Sequence, residues 1–231
     1  MNAALVAAGG LLLALLILVA AGWRAHRVDW GHPVINVLDG WLRLYCRWFQ
    51  RLRVTAPVAL PPEGAALVAA NHLTGLDPFL LIAACERPLR FVIAREQYER
   101  PFLKRLFRAG GCIPVDRNGN PREALRAALA ALEAGEVVAL FPEGGIHPPG
   151  RPPARLKRGV ARMAQLAGAP ICPVRLSGMR GAGHLLRALV LPGRTRVHGY
   201  PPLDCRQLAE ADCLEELAKC LNPTSEMPTA R

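Results

Sequence analysis

The alternation of apolar and polar positions divides the chain into three regions. No residue from 3 to 22 carries a charge, and an apolar run of this length can cross a bilayer as a helix. Between 38 and 52, apolar residues recur at three- and four-residue steps, which predicts an amphipathic helix. From Val54 onward, short apolar runs alternate with helix-like segments. This alternation predicts an α/β sheet covered by helices.

The alternating region predicts strands and helices in turn. The predicted strands cover 65–70, 91–94, 112–115, 137–141, 171–176 and 194–198. Helices are predicted from Asp77 to 84, from Asn120 to 134, over 156–167 and over 204–221. Each of the first two begins with a cap residue followed by proline, which is a typical helix start. The run 65–70 contains no polar residue, so it is expected to be a strand buried on both faces.

The uncharged N-terminal run favours an uncleaved membrane anchor. Val19-Ala20-Ala21 is small enough for a leader cleavage site, but no Lys or Arg precedes the run, as a secretory leader requires. The positive residues follow it: Arg24, Arg27, Arg43, Arg47, Arg51 and Arg53. The positive-inside rule then predicts that the bulk of the chain lies at the cytoplasmic face of the cell inner membrane.

The segment 38–52 combines aromatic residues with three arginines. Arg43, Arg47 and Arg51 are four residues apart, on a different face from Trp41 and Trp48. Such a helix suits a membrane interface. The alternative is an ordinary surface helix packed on the domain.

The net charge limits the possible binding partners, and the cysteine content indicates the redox compartment. The formal net charge of +11 calls for an anionic partner: nucleic acid, an anionic membrane surface or a phosphorylated substrate. The chain has no recognition helix, RNA-binding aromatic motif or zinc spacing, and the apolar run disfavours a nucleic-acid binder. The seven cysteines are an odd number without close pairs, so free thiols in a reducing compartment are expected.

His72 and Asp77 form the first candidate site. On one helix their side chains would point roughly 140° apart, and on one strand they would lie about 17 Å apart. Only a turn can bring them together, and Gly75 permits one. A carboxylate that holds one imidazole nitrogen leaves the other free to act as a base. The alternative is that Asp77 only caps a helix and His72 is a loop residue.

Three more segments follow strands, where α/β proteins place chemistry. Arg117 can offer a cation to a phosphate, or it can pair with Asp116 on the surface. Glu143, next to Gly144 and Gly145, can bind substrate hydroxyls or line a backbone cradle, or it can belong to a turn. The strand after 169 carries two prolines, which indicates an edge or a bend facing a site.

The motifs H-x-x-x-x-D, G-x-I-x-V-x-R and F-P-E-G, followed by a proline-containing strand, occur here in that order. Over 54–178 the chain resembles the lysophosphatidic acid acyltransferase family of the glycerolipid acyltransferase superfamily. The resemblance implies a mixed, largely parallel central sheet flanked by helices and preceded by membrane-associated segments. It divides the chain into a membrane anchor with an interfacial helix (1–53), a catalytic domain (54–221) and a disordered tail (222–231).

The resemblance also implies an activity. A fatty acyl group would pass from acyl-CoA or acyl carrier protein to the hydroxyl of a lysophospholipid, with 1-acylglycerol-3-phosphate giving phosphatidic acid. His72 would be the general base and Asp77 would orient it, while Arg117, Glu143 and Gly144 would bind the acceptor. Membrane lipid would be a further partner. No metal, no redox cofactor and no nucleic acid are expected.

One departure from the family pattern concerns the acceptor. The family's third motif usually continues with Thr-Arg, whereas this chain continues Gly145-Ile146-His147. A substitute cation could come from Arg151, Arg155, Lys157 or Arg158, and His147 is expected to be a loop residue rather than a second base. The alternatives are another lysolipid or an acylated amino acid as acceptor, or a non-catalytic lipid-binding membrane protein.

Overall fold

The computed structural model describes residues 3–116, 119–120, 122–152 and 154–222. The described helices are α1 (Ala3–Ala25), α2 (Pro33–Trp48), α3 (Asp77–Ala84), α4 (Arg95–Tyr98), α5 (Leu103–Ala109), α6 (Arg122–Glu133), α7 (Gly159–Ala167), α8 (Arg187–Val190) and α9 (Glu210–Leu221). The described strands are β1 (Arg53–Ala56), β2 (Ala66–Ala70), β3 (Leu89–Ala94), β4 (Ile113–Val115), β5 (Val137–Leu140), β6 (Ile171–Ser177) and β7 (Arg196–Gly199).

The strands form one sheet in the order β1-β7-β6-β2-β5-β3-β4. β2 to β6 run parallel to one another, whereas β7 is antiparallel to β6 and β1 is parallel to β7. The predicted mixed, largely parallel sheet is therefore confirmed. β1 was not predicted from the sequence; it is an edge strand whose first two residues are exposed.

Helices cover both faces of the sheet, with β2 near its centre. Every residue of β2 is buried, as predicted. Leu67 and Ala69 pack in a core with residues of α6, α7 and α9. Ala66 and Val68 pack on the other face with residues of α2, α3 and α8. Because β2 is buried on both sides, the residues that follow it lie at the edge of the sheet formed by the C-terminal ends of the parallel strands.

Two helix starts differ from the prediction. α7 begins at Gly159 instead of 156, and α9 begins at Glu210 instead of 204. In one continuous helix, Cys205 and Cys213 would lie about 12 Å apart, but the bend before α9 brings their Cα atoms to 5.5 Å and the two form a disulfide. The expectation of seven free thiols is therefore wrong for this pair. The other five cysteines are free.

α1 is the one helix in the described residues that is long and apolar enough to cross a membrane. Its segment Leu5–Ala25 has a mean hydropathy of 2.6, and only 6% of the window is buried. α1 crosses α2 at two glycines, because a Cβ added to Gly40 would lie 1.8 Å from the Gly22 carbonyl oxygen. The Trp41 indole N–H donates to the Leu18 carbonyl at 3.1 Å.

α2 packs its other side on the domain. Arg43 donates to Asp39 Oδ2 at 2.7 Å and to the carbonyls of Ala83 and Cys85, each at 3.1 Å. The carbonyls at the C-terminal end of α3 thus bind the Arg43 guanidinium, a contact that helical periodicity alone does not predict. Trp48 remains 71% exposed, so contact of this helix with a membrane interface stays a prediction.

Candidate active site

Asn71 fixes the start of the turn that follows β2. Its Nδ2 donates to the Leu176 carbonyl at 3.0 Å, and its Oδ1 accepts the Leu176 N–H at 2.7 Å. Because the last β2–β6 pair is Ala70 with Val174, the Asn71 side chain continues the hydrogen bonding where the backbone of β2 leaves the sheet. Asn71 was not predicted to have a role, although an amide directly after a buried strand is a visible signal in the sequence.

The Asp77 carboxylate accepts four hydrogen bonds from residues of the turn. Its Oδ2 accepts from the His72 Nδ1–H at 2.8 Å and from the backbone N–H groups of Leu73 and Thr74 at 2.5 and 2.9 Å. Its Oδ1 accepts from the Thr74 hydroxyl at 2.8 Å. The side chain is fully buried. All these donors stabilise the ionised carboxylate.

Asp77 does not cap α3 in the way that the sequence predicts. Leu76 occupies the N-cap position, and Asp77 is the first helical residue, with Pro78 beside it. The carboxylate points back to the turn instead of to the free N–H groups of the helix. The prediction that a turn brings His72 and Asp77 together is thus confirmed, while the prediction of an N-cap is wrong.

Gly75 is needed for close packing rather than for an unusual backbone angle. A Cβ at this position would lie 2.0 Å from the Leu185 carbonyl oxygen. The same segment binds the turn nearby, where the Gly183 N–H donates to the Leu73 carbonyl at 2.9 Å. The loop that follows β6 therefore covers the turn and restricts its movement.

The His72 ring has one nitrogen bound and one available. Because a buried carboxylate with four donors around it can only accept, Nδ1 carries the proton and Nε2 is the basic nitrogen. The ring stacks on Phe141, with centroids 4.1 Å apart and planes inclined by 15°. The side chain is 15% exposed. Its tautomer and its orientation are therefore both set before any substrate arrives.

The F-P-E-G segment after β5 supports the same turn. Gly144 has a φ of +78°, and its N–H donates to the Phe141 carbonyl at 3.0 Å. Glu143 Oε2 accepts the backbone N–H of His72 at 3.1 Å. Burial raises the pKa of Glu143, and the hydrogen bond from His72 partly offsets this effect. Glu143 therefore holds the backbone of the candidate base.

His147 belongs to the loop, as expected. Its backbone N–H donates to the His72 carbonyl at 2.6 Å, and its ring Nε2 donates to the Pro152 carbonyl at 2.7 Å. A carbonyl can only accept, so this Nε2 carries a proton and is not available as a base. Arg117, the predicted phosphate contact, lies outside the described residues.

A cavity of about 280 Å³ adjoins the turn. Asn71, Leu73, Glu143 and His147 line it on the side of the turn, and Arg175 lines it from β6. Within the described part of the chain, no group of three or more His, Cys, Asp or Glu residues could hold a metal ion. What the site offers chemically is an oriented imidazole base next to a cavity large enough for a polar head group.

Comparison with known proteins agrees with this fold. The family model described as Acyltransferase matches residues 51–177. An N-acylphosphatidylethanolamine synthase of Arabidopsis thaliana is 32% identical over 126 residues, which are 50% of this chain and 44% of that protein. A probable 1-acyl-sn-glycerol-3-phosphate acyltransferase of Mycoplasma pneumoniae is 32% identical over 151 residues, 60% of this chain and 54% of that protein. The chain thus spans about half the length of these two relatives.

Two further comparisons extend over more of the chain. A 1-acyl-sn-glycerol-3-phosphate acyltransferase of Bacillus subtilis is 23% identical over 160 residues, 69% of this chain and 77% of that protein. The crystal structure of the 1-acyl-sn-glycerophosphate acyltransferase PlsC from Thermotoga maritima has the same fold, with a TM-score of 0.68 at 21% identity over 84% of this chain and 80% of that one. With a family model that covers more than half of its residues, the chain belongs to the acyltransferase family.

Proposed function

We propose that the protein is an O-acyltransferase that esterifies the hydroxyl of a lysophospholipid, with 1-acylglycerol-3-phosphate as acceptor and phosphatidic acid as product. The observation that carries the proposal is the His72–Asp77 pair. Its buried carboxylate fixes Nδ1, and this leaves Nε2 free to act as a base, while the neighbouring residues Asn71 and Leu73 line the adjoining cavity.

The reaction needs only proton transfer and acyl transfer. His72 Nε2 takes the proton of the acceptor hydroxyl while the oxygen attacks the thioester carbonyl of the donor. The resulting tetrahedral intermediate collapses, the carbon–sulfur bond breaks, and the departing thiolate takes the proton back from Nε2. Between these steps the imidazolium is paired with the Asp77 carboxylate, which stabilises the charged state.

A direct transfer without an acyl-enzyme suits the cysteines of this chain. Burial raises the pKa of Cys85 to about 12, of Cys112 to about 11 and of Cys172 to about 11. A thiol with so high a pKa is almost entirely protonated at neutral pH and is a poor nucleophile. The acceptor oxygen, activated by His72, then attacks the donor itself.

The proposed donor is acyl-CoA or acyl carrier protein, and no metal or redox cofactor is required by these steps. Arg117, Glu143 and Gly144 are proposed to contribute to the acceptor site, Glu143 through its hold on the His72 backbone. We further propose that α1 anchors the protein in the cell inner membrane, with the catalytic domain at the cytoplasmic face, because its apolar side chains are exposed.

A second acceptor class has specific support. The third motif here lacks the usual Thr-Arg, and the Arabidopsis thaliana relative is named for N-acylphosphatidylethanolamine synthesis. Another lysolipid, an aminophospholipid or an acylated amino acid would then replace lysophosphatidic acid. The chemistry at His72 would be the same for each of these acceptors.

The test is an acceptor panel with the purified full-length protein in mixed micelles. Labelled acyl-CoA and acyl carrier protein serve as donors, and the panel includes lysophosphatidic acid, other lysolipids and phosphatidylethanolamine. We expect labelled phosphatidic acid, and we expect His72→Ala to lower kcat by about 10²–10⁴-fold. The matched control is His198→Ala, because His198 lies on β7 and is bound to Thr55.

The outcomes separate the alternatives. Product from another acceptor, with the same loss in His72→Ala, replaces the acceptor and keeps the mechanism. Full turnover in His72→Ala overturns the assignment of the base. Absence of acyl transfer to every acceptor by the folded wild-type protein favours a non-catalytic lipid-binding protein.

A further inference from the structure

Two buried hydrogen-bond donors beside the site have no partner among the described residues. They are Nη1 of Arg175, on β6, and Nδ2 of Asn222, the residue that ends α9. Buried donors in native proteins are nearly always paired, so each of these two needs an acceptor that the described residues do not supply. Desolvation of a guanidinium nitrogen without an acceptor is particularly costly.

Arg175 and Asn222, the residues that carry these donors, both line the cavity that adjoins the turn after β2. The residues that hold His72 also line it, since Glu143 accepts the His72 N–H and the His147 N–H donates to the His72 carbonyl. A ligand bound by Arg175 would therefore lie in the cavity beside the turn that carries the candidate base.

The charge of the lining favours an anion. Arg151 and Arg175 bring two guanidinium groups, and Glu143 is the only carboxylate among the described residues of the lining. One oxygen of that carboxylate already accepts from His72. Guanidinium binds phosphate through two parallel hydrogen bonds, and an amide N–H adds a third donor. A neutral or cationic head group would leave the charge of the two guanidinium groups without a counter-ion.

We propose that Arg175, assisted by Asn222, binds the phosphate of the acyl acceptor and thereby selects a phosphate-bearing lysolipid. The inference rests on the proposed function and specifies its substrate. It also supplies a cation for a chain whose F-P-E-G segment continues without an arginine at 145–147.

The cavity volume favours the acceptor over the donor as the source of the phosphate. At about 280 Å³ it lies just under the about 300–1,000 Å³ of pockets that enclose whole drug-sized ligands. A glycerol phosphate head group can enter with its acyl chain outside, whereas a whole CoA cannot. A phosphopantetheine phosphate of the donor is the competing source, and the experiment must separate the two.

The experiment compares Arg175→Gln with the wild-type full-length protein in micelles. We expect the KM for lysophosphatidic acid to rise about 10- to 100-fold, the loss of charge-assisted hydrogen bonds to one group. The KM for the acyl donor and the turnover of monoacylglycerol, which has no phosphate, should not change. Arg175→Lys keeps the charge without the planar fork and should give an intermediate KM.

The matched control is Arg196→Gln, because Arg196 lies on the neighbouring strand β7 and does not line the cavity. Thermal unfolding of each variant shows whether it folds. A second readout needs no turnover: binding of glycerol 3-phosphate to the protein without donor, measured by calorimetry. Arg175→Gln should weaken this binding about 10- to 100-fold, and Asn222→Ala should weaken it by less.

Each result decides one question. An unchanged KM for lysophosphatidic acid and unchanged glycerol 3-phosphate binding in folded Arg175→Gln overturn the inference, while wild-type turnover leaves the proposed function standing. A raised KM for the acyl donor alone assigns the cavity to the donor phosphate and also overturns it. If the wild type acylates no lysolipid, the proposed function fails, and the inference about the acceptor fails with it.

Discussion

Replacing Asp77 by Asn tests whether the carboxylate acts through His72. The side chain keeps its size, and its amide oxygen can still accept from the His72 ring and from the N–H groups of Leu73 and Thr74. The new NH₂ group can donate to the Thr74 hydroxyl oxygen, which lies 2.8 Å from the present Oδ1. The variant therefore removes the charge while the turn retains a hydrogen-bonded arrangement.

The size of the effect follows from those bonds. A hydrogen bond to a charged group contributes about 1.5–3 kcal/mol and a neutral one about 0.5–1.5 kcal/mol. The difference at His72 alone, about 1–1.5 kcal/mol, slows the step that forms imidazolium by about tenfold. The upper limit is the contribution of the base itself, about 10²–10⁴-fold. Weakening of the remaining bonds should lower the free energy of unfolding by about 2–4 kcal/mol.

The assay is a double-mutant cycle on kcat. Turnover is measured from the free thiol of the CoA that is released from acyl-CoA. Asp77→Asn should lower kcat by about tenfold or more in the wild-type background. In the His72→Ala background it should have almost no effect, since residues that act as a unit are not additive. Asp39→Asn is the control, because Asp39 is also buried but pairs with Arg43 away from the site.

One result would refute the reasoning. If Asp77→Asn lowers kcat by the same factor with and without His72, the carboxylate does not work through the imidazole. An equal loss of kcat in folded Asp39→Asn would show that loss of stability, and not loss of the site charge, explains the effect.

Three other features lead to measurable effects. Because burial raises the pKa of Glu143, the wild type gains stability from this group below its ordinary pKa and loses that gain as pH rises through the folded value. Glu143→Gln should therefore gain stability relative to the wild type as pH rises above the ordinary pKa of a glutamate, about 4.3, in urea unfolding. Gly75→Ala should cost about 1–3 kcal/mol and lower kcat, because its Cβ would meet the Leu185 carbonyl. Leu12→Arg with Leu15→Arg should shift the protein from the membrane to the soluble fraction, since each arginine costs about 2.5–3.5 kcal/mol at the centre of a membrane helix.

Each of these effects has a control. The prediction for Glu143→Gln is contradicted if the stability of this variant relative to the wild type falls as pH rises. Gly159→Ala is the control for the second, because no atom lies within 4 Å of its added Cβ and alanine favours a helix. Leu5→Arg is the control for the third, since a long side chain near the helix end can reach the interface. Equal membrane binding by all α1 variants would remove α1 as the anchor.

The parts of the site that depend on short segments could be predicted from the sequence. His72 and Asp77 are five residues apart, so a buried strand, a glycine and a proline were enough to place them on one turn. The exact use of Asp77 was not predictable in this way. An aspartate before proline resembles an N-cap, and only the positions of the Leu73 and Thr74 N–H groups show that it binds the turn.

Contacts between distant segments account for the errors. The partners of Arg43 lie 40 and 42 residues further along the chain, so helical periodicity could not show that the end of α3 binds its guanidinium. Cys205 was assigned to the last helix because nothing local indicates the bend before Glu210. Arg175 did have a local signal, a lone charge in an otherwise apolar strand, but its importance depends on the cavity that α9 and the turn enclose.

The crossing of α1 and α2 at Gly22 and Gly40 has a mechanical consequence. The two backbones touch there without intervening side chains, and Arg43 then joins α2 to the far end of α3, the helix that begins with Asp77. The apolar helix is thus held to the helix of the catalytic turn by packing and hydrogen bonds, and not by the chain alone. In the membrane-bound state proposed above, these contacts would hold the reacting histidine at a set distance from the bilayer surface.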